Sequence, residues 1–244
     1  MRISRFFVDH PLAQDLRFEL PDDVAHHLVR VLRSPAGTRL RLFNMDGVEF
    51  EATLCEVAKR SASVICKAPV ETAPESPIRT TLYQALSKGE RMDYAIQKST
   101  ELGVSRIQLL NTQRVDVRLG GDRLEKRMQH WRRVAIAAAE QCGRASVPEL
   151  LPPVDWPVPA PHPGASLILD PDARNGLGTI AAAEDFAIAV GPEGGFGENE
   201  VHQGLDQGWT GIRFGPRILR TETAGPAMLA ALQSRWGDLQ GALI

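Results

Sequence analysis

Phe186-Ala-Ile-Ala-Val-Gly-Pro-Glu-Gly-Gly-Phe-Gly197 is a short apolar run that passes directly into a glycine-rich turn. Two other apolar runs, 165–169 and 210–214, end in the same abrupt way. Asp170-Pro171 follows the first, and Gly215-Pro-Arg-Ile-Leu-Arg-Thr-Glu-Thr-Ala-Gly225 follows the second. Such runs are typical of strands buried on both faces of a parallel sheet. Because ligands of open α/β sheets bind beyond the carboxyl ends of the strands, we expect these three loops to form one pocket.

The residues around these strands alternate between strand and helix patterns, which indicates an α/β domain. Ser87 and Glu90 fit a capping box, which predicts a helix that stops at Gly103. Residues 148–164 contain seven of the 17 prolines and are expected to form a long loop. Periodicity also predicts strands over 78–85 and 107–110, a helix from Asp122 to about Gly143, and a last helix over 224–236 with Thr223 as its N-cap.

The first part of the chain has a different pattern. Residues 1–70 contain short alternating strands and one helix over 22–32, a pattern that indicates a small β-barrel. A proline-rich stretch without apolar periodicity follows, and we place a linker at 71–77 within it. The predicted domains are therefore 1–70 and 78–244.

Composition excludes several classes of protein. With 43% hydrophobic and 24% charged residues, the chain has the composition of a soluble globular protein. The formal net charge of −2 argues against a histone-like nucleic-acid binder, yet it conceals two blocks. Residues 79–147 hold 13 Lys+Arg against 7 Asp+Glu, or +6, whereas residues 148–212 hold one Arg against 10 Asp+Glu, or −9. The basic block is the candidate for RNA contact, with a solvated helix face as the alternative. Its dense part comprises Arg114, Arg118, Arg123, Lys126, Arg127, Arg132 and Arg133.

Neither metal ligands nor targeting signals can be recognised. The three cysteines form no CxxC motif, and the six histidines form no HExxH motif, so we expect no metal site. No apolar stretch approaches the ~18 residues of a membrane-spanning helix, and the first residues lack a signal-peptide core. We therefore expect a cytoplasmic protein without a membrane partner.

The glycine-rich loop has the wrong chemistry for a nucleotide phosphate. It matches neither GxGxxG nor GxxxxGK[ST], which weighs against a nucleotide-dependent α/β enzyme such as an oxidoreductase. Glu193, Glu198 and Glu200 lie close together in sequence with no lysine or arginine nearby. A cationic or neutral ligand fits this charge better than a triphosphate does. The alternative that the loop is only a tight turn remains open.

Several longer motifs resemble one known family. They are Arg30-Val-Leu-Arg33, Lys88-Gly-Glu-Arg-Met92, Gln97-Lys-Ser-Thr-Glu-Leu-Gly103, Glu140-Gln-Cys-Gly-Arg144, Gly191-Pro-Glu-Gly-Gly195 and Gly215-Pro-Arg-Ile-Leu-Arg-Thr-Glu-Thr223. In this order, and over nearly the whole chain, they resemble the RsmE family within the SPOUT methyltransferases. The resemblance implies a SPOUT-type parallel sheet with a C-terminal trefoil knot, preceded by a PUA-like β-barrel that binds RNA. It also implies a homodimer that acts in ribosomal RNA processing and ribosome biogenesis.

The activity that the resemblance implies is methylation of N3 of one uridine in 16S ribosomal RNA of the small subunit, near the decoding site. S-adenosyl-L-methionine is the implied cofactor, and no metal is needed because its methyl group is already activated. A non-catalytic RNA-binding assembly factor is the alternative, and detectable binding of S-adenosyl-L-methionine would oppose it.

By the same resemblance, the three loops are expected to form the cofactor site, and further residues are candidates for RNA contact and, by their adjacency to the cofactor loop, for catalysis. The expected cofactor-binding residues are Leu169, Asp170, Pro171, Gly191, Pro192, Glu193, Gly194, Gly195, Phe214, Gly215, Ile218, Leu219, Thr221 and Thr223. The expected RNA-binding residues are Arg2, Arg5, Arg30, Arg33, Lys88, Arg91 and Arg144. The candidate catalytic residues are Glu222, as the base that takes the N3 proton, and Arg220, as a clamp on the anionic uracil or on a phosphate. A structural ion pair between Arg220 and Glu222 is the alternative.

Overall fold

The chain divides into two compact units in the computed structural model, which describes residues 3–115, 119–161 and 164–241. One unit takes in Met1–Pro74 together with Ala139–Val147. The other takes in Glu75–Ala138 and Pro148–Ile244.

The first unit is built on a five-stranded sheet of order β1-β3-β4-β5-β2. Its strands are β1 (Arg5–Phe7), β2 (Arg17–Glu19), β3 (Arg39–Phe43), β4 (Glu49–Val57) and β5 (Ala62–Val70). All neighbours are antiparallel except β1 and β3. Alternate residues such as Leu40, Leu42 and Val64 point into a core that helix α1 (Asp22–His26) closes with Val24 and Ala25. A π-helical turn over His27–Val31 extends α1, so the helix predicted over 22–32 is confirmed.

The second unit contains a seven-stranded sheet of order β10-β12-β9-β11-β6-β7-β8. Every pair of neighbours in it is parallel, so the predicted parallel α/β architecture is confirmed. The trefoil knot remains a prediction. The strands are β6 (Arg79–Ala85), β7 (Arg106–Asn111), β8 (Glu149–Asp155), β9 (Ala165–Leu169), β10 (Asn175–Gly176), β11 (Asp185–Val190) and β12 (Thr210–Arg213). The helices are α2 (Glu90–Glu101), α3 (Gly121–Cys142), α4 (Glu198–Asp206) and α5 (Thr221–Trp236).

Strand β8 corrects the prediction of a long loop over 148–164. Prolines 152 and 153 lie inside this strand, where they remove two backbone N–H donors. The strand tolerates them because it is the edge of the sheet, and its register against β7 shifts between Gln108 and Leu110. The loop was predicted from the number of prolines, but an edge strand can contain proline because it forms backbone hydrogen bonds with a neighbouring strand on only one side.

Two helix starts also differ from the prediction. Helix α2 begins at Glu90 after Gly89, whose φ of 64° turns the chain, and no side chain caps it, so the Ser87 cap was wrong. Helix α5 begins at Thr221, because the Arg220 carbonyl already accepts hydrogen bonds from the N–H groups of Thr223 and Ala224. Thr223 therefore lies inside the helix and is not its N-cap.

A buried ion pair fixes the end of α3 within the first unit. The Arg5 guanidinium donates to Glu49 Oε2 at 2.6 Å, and the two side chains are 9% and 2% exposed. Its remaining donors bind the carbonyls of Ala139 at 2.9 Å, Glu140 at 3.2 Å and Arg144 at 2.8 Å. The Ala139 carbonyl also accepts the Gly143 N–H at 3.2 Å, and the helix dipole favours a cation at this end. Arg5 therefore serves as a cap for α3.

We predict that Arg5→Met lowers the free energy of unfolding by about 3 kcal/mol, because the buried Glu49 carboxylate loses its closest cation. The matched control is Arg39→Met on the same sheet, whose guanidinium is 65% exposed and pairs with Glu51 at 3.0 Å. Exposed pairs contribute about 0–1 kcal/mol, so this control should unfold almost as the wild type does. Urea denaturation of both variants measures the difference, and equal losses would contradict a structural role for Arg5.

A second prediction concerns pH. Burial raises the pKa of the Glu140 carboxyl above its ordinary value, although the Phe7 N–H, which donates to Oε1 at 2.9 Å, and the charge of Arg5 oppose that shift. A raised pKa means that the stability due to this carboxyl is fully present below its ordinary pKa of about 4.3 and is lost as pH rises through the raised value. Glu140→Gln keeps the acceptor for Phe7 and should raise the melting temperature at pH 7 but not at pH 4. A pH-independent effect would refute this reasoning.

Candidate active site

The three loops expected to form a pocket do line one cavity, with a volume of about 340 Å³. It lies at the carboxyl ends of β9, β11 and β12, which are neighbours in the sheet. Predicted residues that line it are Leu169, Asp170, Pro171, Gly191, Pro192, Glu193, Gly195, Phe214, Gly215, Ile218, Leu219, Arg220, Thr221 and Glu222. Gly194 and Thr223 are not among the lining residues. Lining residues that were not expected to bind cofactor are Arg91, Val190, Ile212, Arg213, Arg217 and Ala224.

Strand register explains why loops distant in sequence meet here. In the sheet Leu169 lies opposite Ile212, and Ile168 lies opposite Ala189. The loops after these strands therefore leave the sheet side by side. Short apolar strands carry enough information to predict this, because their ends are marked by glycine, proline or aspartate.

A buried hydrogen-bond chain ties the glycine-rich loop to the start of α5. The Thr221 hydroxyl donates to the Gly191 carbonyl at 2.6 Å and accepts from Gln84 Nε2 at 2.9 Å. Gln84 is fully buried and Thr221 is only 6% exposed. Gly191 leaves no room for a side chain, since a Cβ there would lie 2.7 Å from the Phe196 nitrogen. Three separate segments, β6, the loop after β11 and α5, are thus joined through one hydroxyl group.

The other side of the same loop is braced by Glu200 and Arg114. Both carboxylate oxygens of the buried Glu200 accept backbone N–H groups at 2.8 Å, one from Gly197 and one from Gln113. Arg114 Nη1 donates to the Gly194 carbonyl at 2.7 Å. Glu200 is therefore structural, because its carboxylate is used by backbone N–H groups at the start of α4 and at Gln113. Of the three glutamates in and beside this loop, Glu193 is the one that lines the cavity.

Charged side chains gather at one wall of the cavity. Arg91 of α2 forms an ion pair with Glu193, Nη1 to Oε1, at 2.6 Å, and its Nε lies 4.0 Å from Glu222 Oε2. Glu222 Oε2 is buried and has no hydrogen-bond partner among the described residues. Within the described chain Glu222 pairs with Arg91 and not with the exposed Arg220, so the alternative of an Arg220–Glu222 ion pair is wrong.

The residues expected to bind RNA are placed in different settings. Arg30 and Arg33 are exposed and flank Val31 and Leu32, which are 61% and 45% exposed. Arg33 has a φ of 52°, a conformation that non-glycine residues rarely adopt. Arg5 is instead occupied by Glu49 and the end of α3.

The other residues that were expected to bind RNA also differ in exposure and in the protein groups that they contact. Lys88 is exposed, and its backbone N–H donates to Glu193. Arg91 lines the cavity, and the half-buried Arg144 donates to the Ser146 hydroxyl. Arg2 and Arg118 lie outside the described residues. On α3, exposed cations form the expected basic face, and they are Arg123, Lys126, Arg127, Arg132 and Arg133.

Two negative findings bear on the chemistry. The described residues contain no group of three or more histidine, cysteine, aspartate or glutamate side chains able to hold a metal ion. No helix in the described part of the chain is both long enough and apolar enough to cross a membrane.

Comparison with known proteins assigns this fold and cavity to an RNA methyltransferase of the SPOUT class with an N-terminal PUA-like domain. Residues 74–233 match the family described as an RNA methyltransferase domain, and residues 20–65 match the RNA methyltransferase PUA domain. Ribosomal RNA small subunit methyltransferase E of Buchnera aphidicola is 30% identical over 98% of both chains. The chain belongs to the family of ribosomal RNA small subunit methyltransferases E, which confirms the resemblance. This membership favours a methyltransferase over a non-catalytic RNA-binding assembly factor and over a nucleotide-dependent oxidoreductase.

Solved structures agree with this assignment. The methyltransferase E of Neisseria gonorrhoeae, solved with S-adenosyl methionine bound, has a TM-score of 0.90 and 35% identity, and the match covers 97% of this chain and 99% of that one. A methyltransferase of Legionella pneumophila, solved in complex with the same cofactor, has a TM-score of 0.92 and 36% identity, covering 98% and 100%.

We predict that Thr221→Val lowers the free energy of unfolding by about 1–3 kcal/mol, because the buried Gly191 carbonyl loses its hydroxyl donor and Gln84 Nε2 keeps only its 3.3 Å hydrogen bond to the Ala85 carbonyl. Thr221→Ser keeps the hydroxyl group and serves as the matched control. Urea denaturation gives the stability, and amide hydrogen exchange should show faster exchange over 191–195 in the valine variant alone. If serine and valine behaved alike, the hydroxyl bridge would not hold the loop.

Proposed function

We propose that this protein transfers the methyl group of S-adenosyl-L-methionine to N3 of one uridine in 16S ribosomal RNA, near the decoding site of the small subunit. The observation that carries the proposal is the cavity of about 340 Å³, which is formed by the three post-strand loops and has carboxylates in its wall. The family membership supports the reaction class, and the cofactor-bound relatives from Neisseria and Legionella support the cofactor.

The lining residues fit this cofactor in size and in chemistry. The cavity volume lies within the ~300–1,000 Å³ typical of small-molecule sites. Leu169, Val190 and Leu219 provide an apolar wall suited to an adenine ring, and their neighbouring backbone groups can read its polar edge. Asp170 provides negative charge that suits a sulfonium or an ammonium group, whereas the charge of Glu193 is balanced by Arg91. When bound, S-adenosyl-L-methionine supplies a methyl group that needs no metal for its activation.

We assign the removal of the N3 proton to Glu222. Its Oε2 atom is buried at the cavity and makes no hydrogen bond to the described residues, so it retains an open acceptor. Uridine N3 becomes a good nucleophile only after losing its proton, and such proton transfer is typically worth ~10²–10⁴-fold in rate. Arg91, 4.0 Å away, acts as a positioning residue for this carboxylate.

Arg220 completes the proposed machinery from the exposed rim of the cavity. Its forked guanidinium is suited to the anionic uracil that forms when N3 is deprotonated, or to a phosphate beside it. Its backbone carbonyl accepts the N–H groups of Thr223 and Ala224 in the first turn of α5, both at 2.9 Å, which fixes the Arg220 backbone at the start of the helix.

The partners follow from this substrate. We propose that residues 1–70 form an RNA-binding domain, supported by the exposed Arg30 and Arg33, and that 71–77 form its linker to the catalytic domain over 78–244. A ribosomal substrate implies work in the cytoplasm. We also propose a homodimer, and a second copy would cover Ile218, which is 83% exposed although it lines the cavity.

We predict that Glu222→Gln lowers kcat by about 10²-fold or more with little change in S-adenosyl-L-methionine affinity, because the amide cannot accept the N3 proton. Arg220→Ala should also lower kcat, and Glu198→Gln is the matched control because Glu198 is exposed and does not line the cavity. The assay uses labelled cofactor with small subunits that lack the modification, and calorimetry measures cofactor binding.

These measurements also test the proposed function. Transfer mapped to N3 of one uridine would support it. If Glu222→Gln and Arg220→Ala both kept near-normal turnover with intact cofactor binding, their assigned roles would fail. No transfer by the wild type to naked RNA or to subunits would overturn the function itself.

A further inference from the structure

A second cavity, of about 520 Å³, lies beside the proposed cofactor cavity and is lined by three arginines. Arg213 and Arg217 line both cavities, as do Phe214 and Gly215 between them, so one loop forms the shared wall. Arg174 lines only the second cavity. None of the motifs singled out in the sequence includes Arg174 or Arg213.

The edge of the parallel sheet brings these arginines together. Strand β10 pairs with β12 so that Gly176 lies opposite Arg213, and Arg174 immediately precedes β10. Gly215, with a φ of 76°, turns the chain after β12 and returns Arg217 to the same place. Arg213 Nε donates to the Gly215 carbonyl at 3.3 Å, which steadies this turn.

The second cavity is electrically unbalanced. No aspartate or glutamate is among its lining residues. Across the described parts of the chain, no carboxylate oxygen lies within 4.0 Å of the guanidinium nitrogens of Arg174, Arg213 or Arg217. By contrast, Arg79 and Arg106 in the same unit each have a carboxylate partner at 2.8 and 2.7 Å. Three guanidinium groups that line one concave surface repel one another, and an anion would relieve this repulsion.

We propose that this second cavity binds a phosphodiester group of the substrate RNA beside the target uridine. Guanidinium groups bind phosphate oxygens through paired, charge-assisted hydrogen bonds, and three of them suit one phosphate or two successive phosphates. The proposal rests on the proposed function, because the shared wall places the phosphate next to the methyl-transfer cavity. Phosphate contacts of this kind position an RNA without reading its sequence.

A free phosphate compound offers the same oxyanion chemistry, yet the position of the cavity favours RNA. All three arginines are exposed, so an extended polymer can reach them without displacing protein. Arg174 is also the only cation among residues 148–212, which carry 10 acidic residues. Arg174 therefore brings a positive charge to an otherwise acidic stretch of sequence, in a cavity that shares a wall with the cofactor cavity.

The test uses a fluorescent single-stranded RNA oligonucleotide with the small-subunit sequence around the target uridine, titrated at several salt concentrations. For single strands, the slope of log K against log[salt] is about −0.7 per neutralised phosphate. We expect Arg174→Ala to weaken RNA binding and to make the salt slope shallower by about 0.7. In the variant that lacks all three arginines, the slope should become shallower by about 1.4–2.1. Arg174→Lys should restore most of the slope, because a lysine still neutralises a phosphate.

Two controls separate this site from its surroundings. Arg79→Ala removes an exposed arginine at the amino end of β6, the opposite end of the same parallel sheet, and should leave RNA affinity unchanged. S-adenosyl-L-methionine affinity of Arg174→Ala, measured by calorimetry, should equal that of the wild type because Arg174 does not line the first cavity.

Each outcome decides between clear alternatives. Unchanged RNA affinity and slope in the triple variant, or no RNA binding by the wild type, would overturn the phosphodiester site. If the triple variant lost affinity for pyrophosphate but kept its affinity for RNA, the cavity would be assigned to a free phosphate compound instead. A wild type that transfers no methyl group indicates failure of the proposed function, whereas normal transfer with an unchanged triple variant indicates failure of this inference alone.

Discussion

The site depends on the hydroxyl group of Thr221, which joins the glycine-rich loop to the first turn of α5 and to β6. A loop with the sequence Gly191-Pro-Glu-Gly-Gly195 has little side-chain packing of its own, and fixing one backbone residue costs roughly 1–2 kcal/mol. The hydrogen bonds of Thr221 on one side, and those of Glu200 and Arg114 on the other, offset that cost. The protein's own contacts therefore hold the loop that forms one wall of the cavity.

The two blocks of opposite charge pair extensively with each other inside the second unit. Arg79 of the basic block pairs with Asp185 of the acidic block, and Arg106 pairs with Glu149. In both cases the partners lie directly opposite each other on neighbouring parallel strands, along β6–β11 and β7–β8. At the cavity, Arg91 of the basic block likewise pairs with Glu193 of the acidic block, although these two residues lie in a helix and a loop. Arginines that form these ion pairs help to hold the sheet and the site together. The 13 lysines and arginines of the basic block are therefore not all available to bind RNA.

The sequence predicted the features that depend on local pattern. Apolar runs with sharp ends located β9, β11 and β12, and therefore the pocket at their carboxyl ends. Prediction from the sequence failed where a structure depends on contacts between residues that are distant in the chain. Nothing near Gln84 indicates that it supports Thr221, and no local rule reveals that β8 is an edge strand and can hold two prolines. Helix α4 was also missed, because only Val201 and Leu205 in its nine residues are large and apolar.

The arginines named by resemblance alone show why a motif cannot assign a role by itself. Arg5 caps α3 and neutralises a buried carboxylate, and Arg91 lies between two carboxylates at the cavity. An arginine so engaged would have to abandon a carboxylate before it could bind a phosphate, and a buried carboxylate left alone costs several kcal/mol. Exposed arginines without a carboxylate partner face no such cost. By this criterion Arg174, Arg213 and Arg217 are free to meet an RNA backbone, as are the exposed Arg30 and Arg33, whereas Arg5 is not.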